Sequence, residues 1–357
     1  MTTRLKKPAA AAALLIVLTA AMTACSGTPS GQTSASGGDS SSTAPSVEKT
    51  YNIGIAQIVS HPSLDAIRQG FEQCMATAGF VQGQNVTYNE QNPQGDQVAL
   101  TQIANNFKSA KMDMVVAITT PVAQAFAQTI TDKPIIFAGV TDPVSAGLVK
   151  SWDAPGGNLT GTSDYPPIDD QVKLITDLKP DAKTVGIVYS SGEENAQQQM
   201  QMASDALAKI GLTVKTAAVT NSSEVQQAAA SLKGVDAFYV GNDNTVVSAI
   251  GALIQVAEQQ KVPVIAADPD SVSAGATAAY AVNQTQMGCE AAKLAVQVLQ
   301  DGKNPGDLPV VRMADLTAAP GTDPASAPLQ LTVNVAAAGK QGVTIPADLL
   351  AKATQVG

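Results

Sequence analysis

The chain is poor in charge and in aromatic side chains. Charged residues make up 14% and aromatic residues 4% of its 357 residues, and the formal net charge is −9. Proteins that bind nucleic acid cluster lysine and arginine against the phosphate backbone. This composition therefore excludes nucleic acid as an expected partner. The length exceeds what a single core usually fills, which predicts two domains.

Histidine is the scarcest polar residue, because His61 is the only one. The sequence also lacks a G-x-S-x-G elbow, a P-loop and any spacing typical of metal ligands. General acid–base catalysis needs a partner within reach of the histidine. We therefore predict a binding protein with no cofactor and no metal, not an enzyme. His61 lies at a predicted helix start, SHPSLD, where it either contacts a ligand from the rim of a cleft or is a side chain of the cap region.

Arginine is almost absent outside the first residues. Beyond Arg4, the sequence contains only Arg68 and Arg312, and neither follows a predicted strand. A bidentate guanidinium clamp on an anionic ligand group is therefore not expected. Hydroxyl groups and backbone N–H groups remain for that task. This favours a small zwitterion or a neutral polar ligand over a phosphorylated one.

The amino terminus has the pattern of an export signal. Arg4, Lys6 and Lys7 precede an apolar stretch that ends in MTAC at Cys25, which predicts a signal peptide over residues 1–24. MTAC resembles a lipoprotein cleavage box, so Cys25 is the predicted lipidated residue; an uncleaved N-terminal anchor is the alternative. Residues 26–47 are rich in Gly, Ser and Thr and predict a flexible linker over residues 25–49. The expected location is outside the cytoplasm, lipid-anchored to the membrane.

Two more cysteines, Cys74 and Cys289, lie on predicted helices. Outside the cytoplasm such a pair can oxidise to a disulfide. Two buried, inert thiols are the alternative, and the sequence leaves both open.

From Thr50 onward, apolar strands alternate with amphipathic stretches, and the pattern occurs twice. The sequence predicts four first-half strands, at 51–59, 85–91, 112–118 and 133–140, and four second-half strands, at 183–190, 212–219, 235–241 and 261–268. Buried strands joined by helices form parallel sheets with right-handed crossovers. We therefore predict an α/β fold with two similar lobes, each with a mostly parallel sheet flanked by helices, hinged around a central cleft. The expected boundaries are residues 50–165 plus 284–320 for lobe 1 and 166–283 for lobe 2, with 321–357 completing the lobes as a strand and a helix.

Polar turns follow the strands of both lobes, where open parallel sheets bind ligands. In the first lobe, ITTP predicts Thr120 as a helix N-cap with Pro121 at the first helical position. The free N–H groups there, with the Thr119 and Thr120 hydroxyls, suit a ligand carboxylate; a capped helix alone is the alternative. In the second lobe, Asp243 could pair with a ligand ammonium group; a solvated turn with an Asx cap is the alternative.

Further ligand contacts are predicted around these turns. Asn242 and Asn244 offer amides, Thr245 a hydroxyl and Asp142 a second carboxylate, although an aspartate before proline also starts helices. Asp268 and Asp270 are weaker candidates. Four aromatic residues lie at or near strand ends and could wall an apolar part of the pocket: Phe137, Tyr165, Tyr189 and Tyr239. Core positions are the alternative for Phe137 and Tyr239, and the favoured one for Phe137.

The chain resembles the substrate-binding proteins of ABC importers, of the tryptophan or tyrosine type, over residues 51–353. The stretches that carry the resemblance are GIAQIVSHPSLDAIRQGF, NEQNPQGD, VVAITTPVAQA, PIIFAGVTDPVSAGLV, GNLTGTSD, GNDNTVVSA and GVTIPADLLAKA. The resemblance implies a type I periplasmic-binding-protein fold and delivery to a membrane permease with its ATPase. It implies pocket positions at Ser60 and His61, Thr119 and Thr120, Asp142, and residues 242–244. The chain departs from the family at Asn283 and Gln284, at the return between the lobes.

These observations predict a lipid-anchored, monomeric solute-binding protein of an ABC importer. Its expected ligand is a small polar solute, an amino acid first and an aromatic one by the resemblance. A sugar or a nucleoside is an alternative ligand. A ligand-sensing ectodomain partner of a receptor is an alternative function.

Overall fold

The structure is a computed structural model that describes residues 49–319, 322–323 and 326–357. The predicted signal peptide, Cys25 and the linker up to residue 48 lie outside the described residues. Within the described part, no helix is long and apolar enough to cross a membrane.

The first half of the chain builds a parallel sheet. In the described residues its strands are β1 (Tyr51–Gln57), β2 (Val86–Gln91), β3 (Met114–Ile118), β4 (Ile135–Ala138), β5 (Leu159–Ser163) and β11 (Val311–Arg312), in the order β11-β5-β4-β3-β1-β2. Its helices are α1 (Pro62–Thr77), α2 (Gln97–Ser109) and α3 (Thr120–Thr129). Every pairing in this sheet is parallel.

A second sheet, described over seven strands, follows the same plan. Its strands are β6 (Thr184–Ser190), β7 (Thr213–Val219), β8 (Ala237–Val240), β9 (Val264–Ala266), β10 (Ala278–Val282), β12 (Leu329–Asn334) and β13 (Thr354–Val356), in the order β13-β12-β10-β9-β8-β6-β7. Its flanking helices are α4 (Ile168–Leu178), α5 (Glu194–Lys209), α6 (Val225–Ser231), α7 (Asn244–Ser248), α8 (Ile250–Gln260), α9 (Pro269–Ser273), α11 (Val335–Lys340) and α12 (Ala347–Leu350). The pairing of β10 with β12 is antiparallel.

The predicted α/β fold with two mostly parallel sheets is confirmed. The sequence analysis missed β5, since LTGTS has neither the alternation nor the long apolar run that predicts a strand. All five of its residues are buried, because the strand lies between β4 and β11. Residues 278–282, which follow the last predicted strand of the second lobe, are a further strand of the second sheet.

The helix after β10, α10 (Gln284–Leu299), packs back against the first lobe. Gly288 faces α1 so closely that a Cβ there would lie 2.0 Å from the Ile67 carbonyl oxygen, and one on Gly70 would lie 2.2 Å from that of Thr285. Cys74 and Cys289 form a disulfide across this crossing, with a Cα–Cα distance of 5.2 Å. The question left open by the sequence is thus decided in favour of the disulfide, and a close backbone contact fixes α10 to α1.

The second sheet has an apolar cluster on each face. Phe238 and Val240 belong to one cluster, and Ala237 and Tyr239 to the other. This split follows from the period of two along a strand. The first lobe has one continuous cluster.

Candidate functional site

A cavity lies between the two lobes at the carboxyl ends of the strands, where parallel sheets present their ligand sites. Its empty space, including the mouth, measures about 410 Å³. The lining residues come from both lobes and the crossings: His61, Ser63, Leu64, Ile67, Thr119, Gly139, Thr141, Asp164, Asn195, Asn242, Asp243, Asn244, Val247, Asp268 and Gln284. Six of the residues predicted from the sequence are therefore brought together here: His61, Thr119, Asn242, Asp243, Asn244 and the weaker candidate Asp268.

His61 enters the cavity from the start of α1. It is the N-cap residue, with Pro62 at the first helical position and Asp65 in the first turn, as the SHPSLD pattern predicts. Neither ring nitrogen has a hydrogen-bond partner. Burial lowers the pKa of His61, while the carboxylates of Asp268, Asp65 and Glu193 oppose that shift. A neutral imidazole offers one donor and one acceptor to a ligand.

Thr119 enters at the start of α3, and here the predicted cap is wrong by one residue. Thr119 is the N-cap, and Thr120 is the first helical residue. Thr119 has a φ of +91°, which is strained for a β-branched residue. Its side chain makes no capping bond, and the hydroxyls of Thr119 and Thr120 are both buried without a partner. Such strain concentrates at binding sites, and it leaves the first N–H groups of α3 uncapped by a side chain.

Asp164 follows β5, on the crossing to the second lobe. Its side chain is 8% exposed, and its Oδ1 atom has no hydrogen-bond partner. Loss of hydration raises the pKa of Asp164 to about 6. A buried carboxylate oxygen without a partner is costly unless a cation approaches it.

Asp243 has a different surrounding at the other side of the cavity. One of its oxygens accepts from the Ser190 backbone N–H at 2.5 Å, and the other caps α7 through the Val246 N–H at 3.0 Å. Burial, and next the nearby Glu193 carboxylate, raise the pKa of Asp243 to about 7. The structure thus assigns this carboxylate to the capping role.

Glu193 holds the turn that follows Asp243 through hydrogen bonds. Its carboxylate accepts from the Asn244 amide at 2.5 Å, and from the Thr245 backbone N–H at 2.9 Å and hydroxyl at 2.7 Å. Asn195 donates its amide N–H to the Asn242 carbonyl at 2.7 Å, which leaves its Oδ1 unpartnered at the cavity. These bonds fix which atoms of the second lobe face a ligand.

Some predicted residues lie elsewhere. Ser60 lies at a separate surface pocket and donates to Asp65 at 3.0 Å. Asp142 caps its own loop and accepts from Gln198 of the second lobe at 3.2 Å. Tyr189 is half-buried in β6. These three and Thr120 are outside the cavity lining.

No aromatic side chain is among the described residues that line the cavity. Phe137 and Tyr239 are fully buried in the two lobes. Tyr165 packs edge-on against Trp152, and Arg312 lies over the Trp152 ring at 4.0 Å. The apolar wall is aliphatic instead, formed by Leu64, Ile67 and Val247.

Sequence reasoning missed Asp164, Asn195, Ser63 and Glu193. Asp164 ends the GNLTGTSD stretch, but its strand was not predicted, so its position at a strand end stayed hidden. Glu193 precedes α5 and reads as an ordinary acidic helix start. Gln284 does line the cavity, as its position at the return between the lobes suggested.

Hydrogen bonds join the two lobes beside the cavity. The Ser63 hydroxyl donates to Asp268 at 2.9 Å, and the Gln124 amide donates to Glu194 at 2.5 Å. With the bond from Gln198 to Asp142, these contacts connect the two lobes.

Comparisons with known proteins show which proteins this chain is similar to. A tyrosine-binding protein of Clostridioides difficile (strain R20291) is 42% identical over 267 residues, covering 74% of this chain and 77% of the relative. A structure of an ABC domain from Streptococcus pneumoniae in complex with L-Trp matches with a TM-score of 0.79 at 35% identity, covering 87% of this chain and all of that one. A conserved domain protein from Vibrio cholerae matches with a TM-score of 0.81 at 37% identity and the same coverage.

These relatives share the type I periplasmic-binding-protein fold, which confirms the fold that the resemblance implied. Substrate-binding proteins of ABC transporters bind solutes outside the cytoplasm and are not enzymes, as predicted for this chain. The family model for the ABC transporter substrate binding protein matches residues 52–357, so the chain belongs to that family.

Proposed function

We propose that this protein binds an aromatic amino acid between its lobes and delivers it to the permease and ATPase of an ABC importer. The observation that carries the proposal is a set of buried polar atoms without hydrogen-bond partners on four side chains that line the cavity: both ring nitrogens of His61, the hydroxyl of Thr119, and the Oδ1 atoms of Asp164 and Asn195. Buried polar groups are nearly always paired in folded proteins. An unpaired set in one cavity supports a ligand that completes it.

Asp164 and Asn195 provide the acceptors of this set. Oδ1 of Asp164 and the Asn195 amide oxygen both lack donors. An α-ammonium group supplies N–H donors and a positive charge, which relieves the cost of the buried carboxylate. We therefore assign the ligand ammonium to Asp164, with Asn195 as its neutral partner.

Thr119 and His61 provide the donors. The Thr119 hydroxyl stands beside the first turn of α3, whose leading N–H groups have no partner within the helix. Carboxylates bind well at such helix starts. We assign the ligand carboxylate to this place, with one His61 nitrogen donating to it.

The ligand side chain would pack on Leu64, Ile67 and Val247. The relatives that bind tyrosine and L-Trp support an aromatic side chain there. The aliphatic wall is compatible with this, because a flat ring packs well against branched aliphatic groups.

Closure of the lobes around the ligand is the step that follows binding in this proposal. Ser63 of lobe 1 meets Asp268 of lobe 2, and both line the cavity. A ligand that bridges the lobes shifts the population toward this closed form, which we propose the permease recognises. The proposal includes the division into lobe 1 (50–165 plus 284–320), lobe 2 (166–283) and the closing segment 321–357. It also includes a monomeric state, and lipidation at Cys25 after cleavage of the signal peptide.

Calorimetric titration of the purified protein with the twenty common amino acids tests the proposal. We expect binding of tyrosine or tryptophan, lost in Asp164→Asn and kept in the matched exposed control Asp169→Asn. Binding of a sugar or nucleoside in place of any amino acid would contradict the assignment.

A further inference from the structure

The cavity has an excess of negative charge. Asp164, Asp243 and Asp268 line it, and Glu193 stands directly behind Asn244. Among the described lining residues there is no lysine and no arginine. His61 is the one lining group that can become a cation, and burial disfavours its charged form.

A cation beside the unpaired acceptor of Asp164 would stabilise the cavity more than an anion beside the donors of Thr119 and His61. Asp243 and Asp268 are each satisfied as helix caps, by the N–H groups of Val246 and Ser271 respectively. Asp164 lacks such a donor at its Oδ1. The carboxylate site proposed above contains neutral groups only: a hydroxyl, an imidazole and backbone N–H groups.

Removing each end of the ligand therefore has unequal consequences. Without a ligand ammonium group, the Asp164 carboxylate stays buried with no cation beside it and with Oδ1 unpaired, which is the costly case for a charge. Without a ligand carboxylate, only neutral donors are left, and water can serve them at a smaller cost. A ligand without its carboxylate also has a net positive charge, which the surrounding aspartates attract.

We propose that the cavity recognises its ligand chiefly through the ammonium group, and that it accepts primary aromatic amines as well as aromatic amino acids. This inference rests on the proposed function, because it keeps the same cavity and the same place for the ammonium group. It adds a ligand class, the decarboxylated counterparts of the amino acids, and excludes the deaminated acids.

Calorimetric titration with matched ligands tests the inference: tyrosine, tyramine and 3-(4-hydroxyphenyl)propionate, which share one ring and differ in the charged groups. We expect tyramine to bind within about 100-fold of tyrosine, the range that the loss of neutral hydrogen bonds covers. The deaminated acid should not bind at the same concentrations. Tyrosine binding without tyramine binding would overturn the inference and leave the proposed function intact, whereas binding of neither would overturn both.

Two variants sharpen the test. Thr119→Val keeps the shape of the side chain and removes its hydroxyl, so tyrosine affinity should fall about tenfold while tyramine affinity stays the same. Asp164→Asn should abolish tyramine binding, and Asp169→Asn should leave both ligands unaffected. Equal losses for both ligands in Thr119→Val, or tyramine binding retained in Asp164→Asn, would contradict the inference.

Discussion

Asp164 and Asp243 stand in one cavity and have opposite surroundings. Asp243 is 2% exposed and Asp164 is 8% exposed. The oxygens of Asp243 are held by two backbone N–H groups, whereas Oδ1 of Asp164 has no partner. The Asp243 carboxylate therefore stabilises its own lobe, whereas the Asp164 carboxylate is free to stabilise a complex with a ligand.

The same contrast holds between the turn at Asn244 in the second lobe and the turn at Thr119 in the first. Asn244 is held by Glu193, and the turn around it is fully hydrogen-bonded. Thr119 across the cavity is strained and leaves its hydroxyl unpaired. Well-satisfied polar residues build the cavity, and unsatisfied ones mark where a ligand is expected to bind.

The largest expected effect is on affinity in Asp164→Asn. The substitution removes the charge that we assign to the ligand ammonium, so calorimetry should show a loss of about 2–5 kcal/mol in binding. The folded pKa of Asp164 is raised to about 6, above the ordinary value near 3.8. Its contribution to stability is therefore complete below that ordinary value and is lost as the pH rises through about 6, so at pH 7.5 the asparagine variant should unfold at the same or a higher urea concentration.

Asp243→Ala should reduce the stability of the fold more than the affinity for the ligand, the reverse of Asp164→Asn. It removes the acceptor of two backbone N–H groups, and we expect a loss of about 1–3 kcal/mol in the free energy of unfolding. The effect on affinity, measured by the same titration, should be smaller than that of Asp164→Asn. A larger loss of affinity in Asp243→Ala would mean that the two roles are reversed.

The pH dependence of binding separates the two carboxylates further. Ammonium binding requires ionised Asp164, so affinity should be constant above about pH 6 and fall by up to tenfold per unit as the pH drops below it. Asp243, with a pKa of about 7, and His61 also titrate in the cavity. Asp169→Asn, at an exposed residue, is the control and should keep the dependence centred near pH 6. Wild-type affinity that is unchanged between pH 7.5 and pH 5 would refute the assignment.

The smallest expected effect concerns the contact between the lobes outside the cavity. Gln198→Ala removes the bond to Asp142, so the closed form should lose about 0.5–1 kcal/mol. Stopped-flow measurement should show faster ligand dissociation. Gln201→Ala, which removes a bond within α5, is the matched control and should leave the dissociation rate unaffected.

Sequence patterns predicted the duplicated α/β lobes because long apolar strands and helix starts have strong local signals. SHPSLD predicted the start of α1 and left open whether His61 contacts a ligand, and the structure places His61 at the cavity. The patterns missed β5, and with it Asp164, because a short strand of threonine, serine and glycine is buried by its neighbours and not by its own hydrophobicity. Asp142 was predicted from its sequence pattern and Ser60 from the family resemblance, but neither lines the cavity. A strand end fixes the position of a residue but not the direction of its side chain.

The most direct test of the account is a crystal structure of the protein with bound tyrosine or tryptophan. The account predicts the ligand nitrogen at about 2.7–2.9 Å from Oδ1 of Asp164, with the ligand carboxylate at the start of α3. A ligand bound in the opposite orientation, with its carboxylate beside Asp164, would contradict the account, and so would a ligand held outside this cavity.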